Sequence, residues 1–186
     1  MIDSILSWLI LIPVIGVLLI LITCRSREES CILGKYIALT VSMINLILAL
    51  IVLKNFDHTI VTFQMVEKGY FWADSINLSI VLGVDGISVY FILLTALLIP
   101  ICIVSSWHSI KMRMKEFLIA FLLLEALVIG SFLALDLLLF YFFFEALLIP
   151  MYLIIGIWGA EDRIYAAFKF FLYTLAGSLL FLLAII

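Results

Sequence analysis

Glu145, Glu125 and Lys169 are the residues of this chain whose type and placement could do chemistry, because each falls inside a long apolar run. A charged side chain at the centre of a bilayer costs roughly 2.5–3.5 kcal/mol on insertion scales, so it is usually kept where it faces protein or water and handles a charge. Glu145 is the sharpest case. It is the one charge in Leu137–Trp158, LLLFYFFFEALLIPMYLIIGIW, and Pro150 follows five positions later. The proline has no N–H, which leaves the Ala146 carbonyl without its usual helical partner. A carboxyl beside a loosened turn and a hydrophobic wall is suited to moving protons or cations. The plain alternative is a protonated side chain that serves only as hydrogen-bonded glue between helices.

Depth sorts the other two. At about 1.5 Å of rise per residue, Glu125 lies roughly 14 Å and Glu145 roughly 18 Å above the inner ends of their helices. The two carboxylates are therefore expected at similar depth on neighbouring helices. Lys169 lies only about 5 Å inside its helix by the same rise, within snorkelling reach of the interface, where it would act as an anchor. Asp136 falls between two apolar runs and is expected to cap a helix or be solvated there. Pro13 and Pro100 are expected as tolerated kinks, and the Phe-rich run Phe140–Phe144 as packing rather than a cofactor box. Cys24, Cys31 and Cys102 do not form a metal-ligand spacing with each other or with His58 and His108. Cys24 and Cys31 flank a short charged loop and are expected to be free thiols on a reducing face. The sequence offers no metal site, cofactor-binding motif or catalytic residue.

The elements that must hold these groups are membrane helices. The chain has 186 residues, is 68% hydrophobic and only 12% charged, with a mean hydropathy of +1.41. A soluble fold with that balance would lack the polar residues to cover its surface. Apolar runs of bilayer length fall at Ser4–Thr23, Tyr36–Leu53, Asp85–Trp107, Glu116–Leu135, Leu137–Ile157 and Ala166–Ile186, which predicts an all-α bundle of six spans. Arg25, Arg27, Lys35, Lys111, Arg113, Lys115 and Arg163 fall in loops on one side, against Lys54 and Lys68 on the other. The positive-inside rule then puts the N-terminus outside. Within Lys54–Val84, the β-branched runs Thr59–Val66 and Ile76–Leu82 around Gly69 predict a small surface hairpin. Asp85-Gly86 reads as the cap of the third helix. No basic tract is present, which argues against a nucleic-acid partner.

Three segments carry a family resemblance: LGVDGIS (Leu82–Ser88), ALDLLLFYFFFEALLIPMYLIIGIWG (Ala134–Gly159) and FKFFLYTLAGSLLFLLAI (Phe168–Ile185). They resemble chain M of proton-translocating NADH:quinone oxidoreductase, respiratory complex I, called chain 4 in mitochondria. The resemblance implies an antiporter-like membrane-arm subunit built on inverted repeats. Such a subunit couples electron transfer from NADH to quinone, performed elsewhere in the complex, to proton pumping. It also implies that Glu145 is a proton-translocation residue, paired in the family with a lysine of helix seven. Lys169 and Glu125 match further ionisable positions found in relatives. NADH, flavin, iron–sulfur clusters and quinone are then bound by other subunits. The implied partners are chains like L and N, the lipid bilayer and a separate C-terminal polypeptide.

Family members have about fourteen helices, as repeat-built transporters of this class do, whereas this sequence carries six runs. It is expected to be the N-terminal part of such a subunit. A fragment, a split-gene product and a truncated, non-functional remnant are the open accounts. Residues 1–115 would form three helices with an outer loop at 54–84, and residues 116–186 the start of the first antiporter-like repeat. The membrane would be the bacterial or mitochondrial inner membrane. A subunit of a multi-subunit sodium/proton antiporter is the rival reading, since the same glutamate would serve there.

Overall fold

A computed structural model describes residues 4–24, 32–60, 62–73, 78–110 and 112–185. The helices are α1 (Ile5–Thr23), α2 (Ile32–Asn55), α3 (Ser88–Ser105), α4 (Met114–Leu133), α5 (Leu137–Trp158) and α6 (Arg163–Ile185). All six are long and apolar enough to cross a bilayer, as a chain in hydrocarbon requires when each segment must satisfy its own backbone. The chain is a multi-pass membrane protein. The expected bundle of six spans is what forms, with shifted ends. α2 and α6 begin earlier than Tyr36 and Ala166 because Lys35 and Arg163 are helical, their long stems reaching polar surroundings. α3 begins later than Asp85, because Asp85 caps the turn before it: its Oδ1 accepts from the Ile87 and Ser88 amides at 3.1 and 2.6 Å.

The predicted hairpin exists, but its turn is elsewhere. Strands β1 (Gln64–Ala73) and β2 (Leu78–Val84) pair antiparallel, with Glu67 opposite Leu82 and Lys68 opposite Val81. Gly69, expected in the turn, lies within β1. A Cβ there would sit 3.0 Å from the Ile80 carbonyl oxygen, so the glycine permits close strand approach rather than reversal. The strand runs on to Ala73, and residues 74–77 lie outside the described ones. Register shifts near Gln64 coincide with Met65 at φ 52°, the left-handed backbone of a bulge. The hairpin is tied to two helix ends. Glu67 accepts from the Leu6 and Ser7 amides at 2.7 and 3.0 Å and from the Ser7 hydroxyl. Val81 accepts from the Leu135 amide at 3.0 Å, at the α4–α5 junction.

The odd-numbered helices share one electrical scheme. At the hairpin end their N-termini meet acids: Glu67 at α1, Asp85 at α3, and Asp136 at α5, whose Oδ1 accepts from the Leu138 and Leu139 amides at 2.8 and 3.3 Å. At the opposite end their C-terminal carbonyls meet cations. Lys115 donates to Cys24, Lys35 to Trp107 at 2.7 Å, and Arg163 to Ile157 at 2.8 Å. Both placements complement the helix dipole and occupy backbone groups that lack helical partners. Asp136 is thus the cap the sequence predicts. Cys24 is not the free thiol expected, being disulfide-bonded. Cys31 lies outside the described residues.

Two apolar clusters fill the bundle. The one near the hairpin contains Leu6 and Leu9 of α1, Ala49 and Val52 of α2, and Ile129 and Leu133 of α4. The other contains Val17 and Ile20, Ala38 and Val41, and Leu118 and Leu122 of the same helices. Between them along α1, α2 and α4 come Pro13, Asn45 and Glu125, all buried. Gly16 lets the three helices close just below that layer, since a Cβ there would lie 2.8 Å from Val41 Cγ1 and 3.1 Å from Leu122 Cδ1. By contrast α6 buries only Ala167 and Ser178 among its described residues.

Candidate functional site: buried acids in the bundle

Glu125 is fully buried, and so is Asn45. The Asn45 side-chain amide donates to Glu125 Oε1 at 2.8 Å, joining α2 to α4. Asn45 Oδ1 and Glu125 Oε2 are buried without a hydrogen-bond partner among the described residues. Ser42, one turn before Asn45 on α2, is also buried and donates to the Leu39 carbonyl at 3.1 Å. A polar layer thus interrupts the core. Among the described residues no cation pairs with it: the ion pair they form, Arg113 with Glu116 at 3.7 Å, lies on the exposed start of α4.

Glu145 sits on α5, half-buried, with Oε2 buried and unpartnered among the described residues. Two contacts fix the antiparallel register of α4 and α5. The Phe143 ring fills the space beside Gly130, and Phe117 meets Trp158 edge to face at 5.3 Å. This register puts Glu145 level with Ile129, about 6 Å nearer the hairpin than Glu125 by helical rise. The expected similarity of depth holds to about one turn. The two acids form no hydrogen bond with each other, because Glu125 is turned to α2. Pro150 is buried on α5, where the Ala146 carbonyl loses its helical donor.

Lys169 stands apart from both acids. Tyr152 packs on Phe168 and Phe171, with centroids 5.8 and 5.6 Å apart, and Phe140 meets Phe181 at 6.1 Å. That α5–α6 register puts Lys169 level with Tyr152, about 10 Å along the axis from Glu145 by helical rise. The lysine is exposed, its ammonium 5.7 Å from the Tyr165 ring centre. Near Glu145, α6 offers Ala176 and Gly177, and a Cβ on Gly177 would meet nothing within 4 Å among the described residues. The same residues hold no group of three or more His, Cys, Asp or Glu able to bind a metal.

Asn45 is the residue that reading for charge misses. Its signal is present in the sequence: with Ser42 it gives polar positions three apart on one face of an otherwise apolar span. Buried amides in a membrane helix seek partners on neighbouring helices.

Comparison with known proteins bears on what these acids serve. A family model described as "NADH:quinone oxidoreductase/Mrp antiporter, TM" matches residues 134–186, which include Glu145 and Lys169. NADH-quinone oxidoreductase subunit M of Rickettsia prowazekii (strain Madrid E) is 48% identical over 182 residues, covering 98% of this chain and 37% of that protein. The chain is homologous to subunit M. NADH-ubiquinone oxidoreductase chain 4 of Arabidopsis thaliana is likewise 48% identical over 182 residues, covering 97% of this chain and 36% of that one. The subunit M of Rhodobacter capsulatus reaches 54% over 153 residues, covering 82% and 29%. A solved structure titled "Respiratory complex I from Thermus thermophilus with bound NADH" aligns with a TM-score of 0.76 at 28% identity, covering 96% of this chain and 34% of that one. The chain thus spans a little over a third of the length of the Rickettsia and Arabidopsis relatives. The subunit M resemblance read from Ala134–Gly159 and Phe168–Ile185 is shown over nearly the whole chain.

Proposed function

We propose that this chain forms part of a proton-translocating membrane-arm subunit of NADH:quinone oxidoreductase. Glu145 takes up a proton from one side of the membrane and gives it up toward the other. The observation that carries this reading is the buried Glu145 Oε2, unpartnered among the described residues, inside the segment that matches the antiporter-like family. An acid held there without a fixed partner binds a proton under control of whatever cation approaches it. In the family resemblance that cation is a lysine on a further helix, so a polypeptide supplying it is a partner, together with subunits like L and N. Glu125 and Lys169 are further proton-handling positions. NADH, flavin, iron–sulfur clusters and quinone belong to other subunits. The membrane is a bacterial or mitochondrial inner membrane with the N-terminus outside. Residues 1–115 are a three-helix entry unit, and 116–186 open the first antiporter-like repeat.

The test is Glu145→Gln in the assembled complex, with proton pumping measured beside quinone reduction. Loss of pumping per electron transferred is the expected result. Wild-type pumping and coupled turnover would remove the role. The family description also includes Mrp antiporters, which favours a second reading as a subunit of a sodium/proton antiporter. Sodium-driven proton movement without NADH oxidation would select it.

A further inference from the structure

We propose that Asn45 and Glu125 form a second internal proton-binding site, in which a neutral Glu125 carboxyl pairs with the Asn45 side-chain amide. This deepens the proton-handling reading above and assigns Asn45 as the positioning residue. The Asn45 N–H donates to Glu125 Oε1 at 2.8 Å, and the two atoms left over are Asn45 Oδ1 and Glu125 Oε2. Both are acceptors if the acid is ionised, and two buried acceptors cannot satisfy each other. A protonated carboxyl carries one O–H and one C=O, the complement of the amide's C=O and N–H. One proton on Oε2 then supplies the donor that Oδ1 lacks.

The surroundings favour the neutral form. α1 carries no ionisable side chain, and those of α2 are Lys35, Tyr36 and Lys54, at its ends. On α3 they are Tyr90 and Cys102, on α4 Lys115 and Glu116 at its start, and on α5 Tyr141, Glu145 and Tyr152. None is a cation at the level of the pair, and a carboxylate shut in apolar surroundings without a counter-charge is costly. Apolar clusters close the site above and below. Glu145, about one turn away along the axis, is the nearest acid by level from which a proton could pass.

Infrared difference spectroscopy on the assembled complex tests this. Subtracting the Glu125→Gln spectrum from wild type at neutral pH isolates the Glu125 signal. A protonated-carboxyl C=O band is expected, lowered in frequency because Oε1 accepts from Asn45. Asn45→Leu should move that band to higher frequency. If that variant does not assemble, Asn45→Ser, which cannot form the two-point pair, is read the same way. Carboxylate stretches in place of the band would overturn the proposal, as would a band unmoved by replacing Asn45. Glu145→Gln should leave the band in place, and the measurement needs no pumping, so its failure and that of the Glu145 reading are separable.

Discussion

Phe143 occupies the space that a side chain on Gly130 would need: an added Cβ would lie 2.6 Å from Phe143 Cε1 and 2.7 Å from Cδ1. This contact sets the register of α4 against α5 and hence the level of Glu145. Gly130→Ala should therefore force α4 and α5 apart or the ring to rotate. Overpacking of this kind costs about 1–3 kcal/mol. The expected outcome is a lower thermal midpoint, restored in part by Phe143→Leu in the double variant. Equal losses with and without Phe143 would show that the ring does not oppose the added methyl.

Glu67 bonds the start of α1 from β1, so the hairpin and the first helix should lose stability together. Glu67→Ala removes the acceptor for the Leu6 and Ser7 amides. Loss of a helix N-terminal cap costs about 0.5–2 kcal/mol. Hydrogen exchange should rise at Leu6 and Ser7 in the variant, and unchanged protection there would argue against the cap.

Asp85 gives a pH-dependent counterpart. Its carboxyl is held below the ordinary 3.8, chiefly by the Ser88 amide, with burial opposing. A folded value below the unfolded one adds stability that is complete above the unfolded pKa and disappears as pH falls through the folded one. Asp85→Asn should therefore lower the thermal midpoint at neutral pH. The gap to wild type should close only below pH 3.8. A gap independent of pH would assign the effect to shape rather than charge.

What the sequence made legible was local. Six spans follow from apolar run length, and the caps by Asp85 and Asp136 follow from an acid placed just before a helix. Glu145 announces itself as the one charge in its span. What stayed hidden depends on partners distant in sequence. Glu67 meets Leu6 across 61 positions, and Asn45 meets Glu125 across 80. No periodicity encodes such pairings. Gly69 lies in a strand and not in the expected turn, since glycine marks both turns and close strand contacts and only the partner strand distinguishes them.

The same charges that cap the helices make a prediction about orientation. Lys35, Lys115 and Arg163 each hold the carbonyl end of an odd-numbered helix, so all three must lie at the end opposite the hairpin. By the positive-inside rule that end is predicted to face the cytoplasm or matrix. An inverted insertion would carry these cations across the membrane or strip the caps. The positions suited to a labelling test are Thr62, exposed beside the hairpin, and Met112, exposed at the opposite end. In sealed inner-membrane vesicles that keep the native orientation, a membrane-impermeant thiol reagent should label Thr62→Cys directly. Met112→Cys should react only after the membrane is opened, each measured against wild-type labelling. The reverse pattern would put the N-terminus inside and break the link between capping and topology.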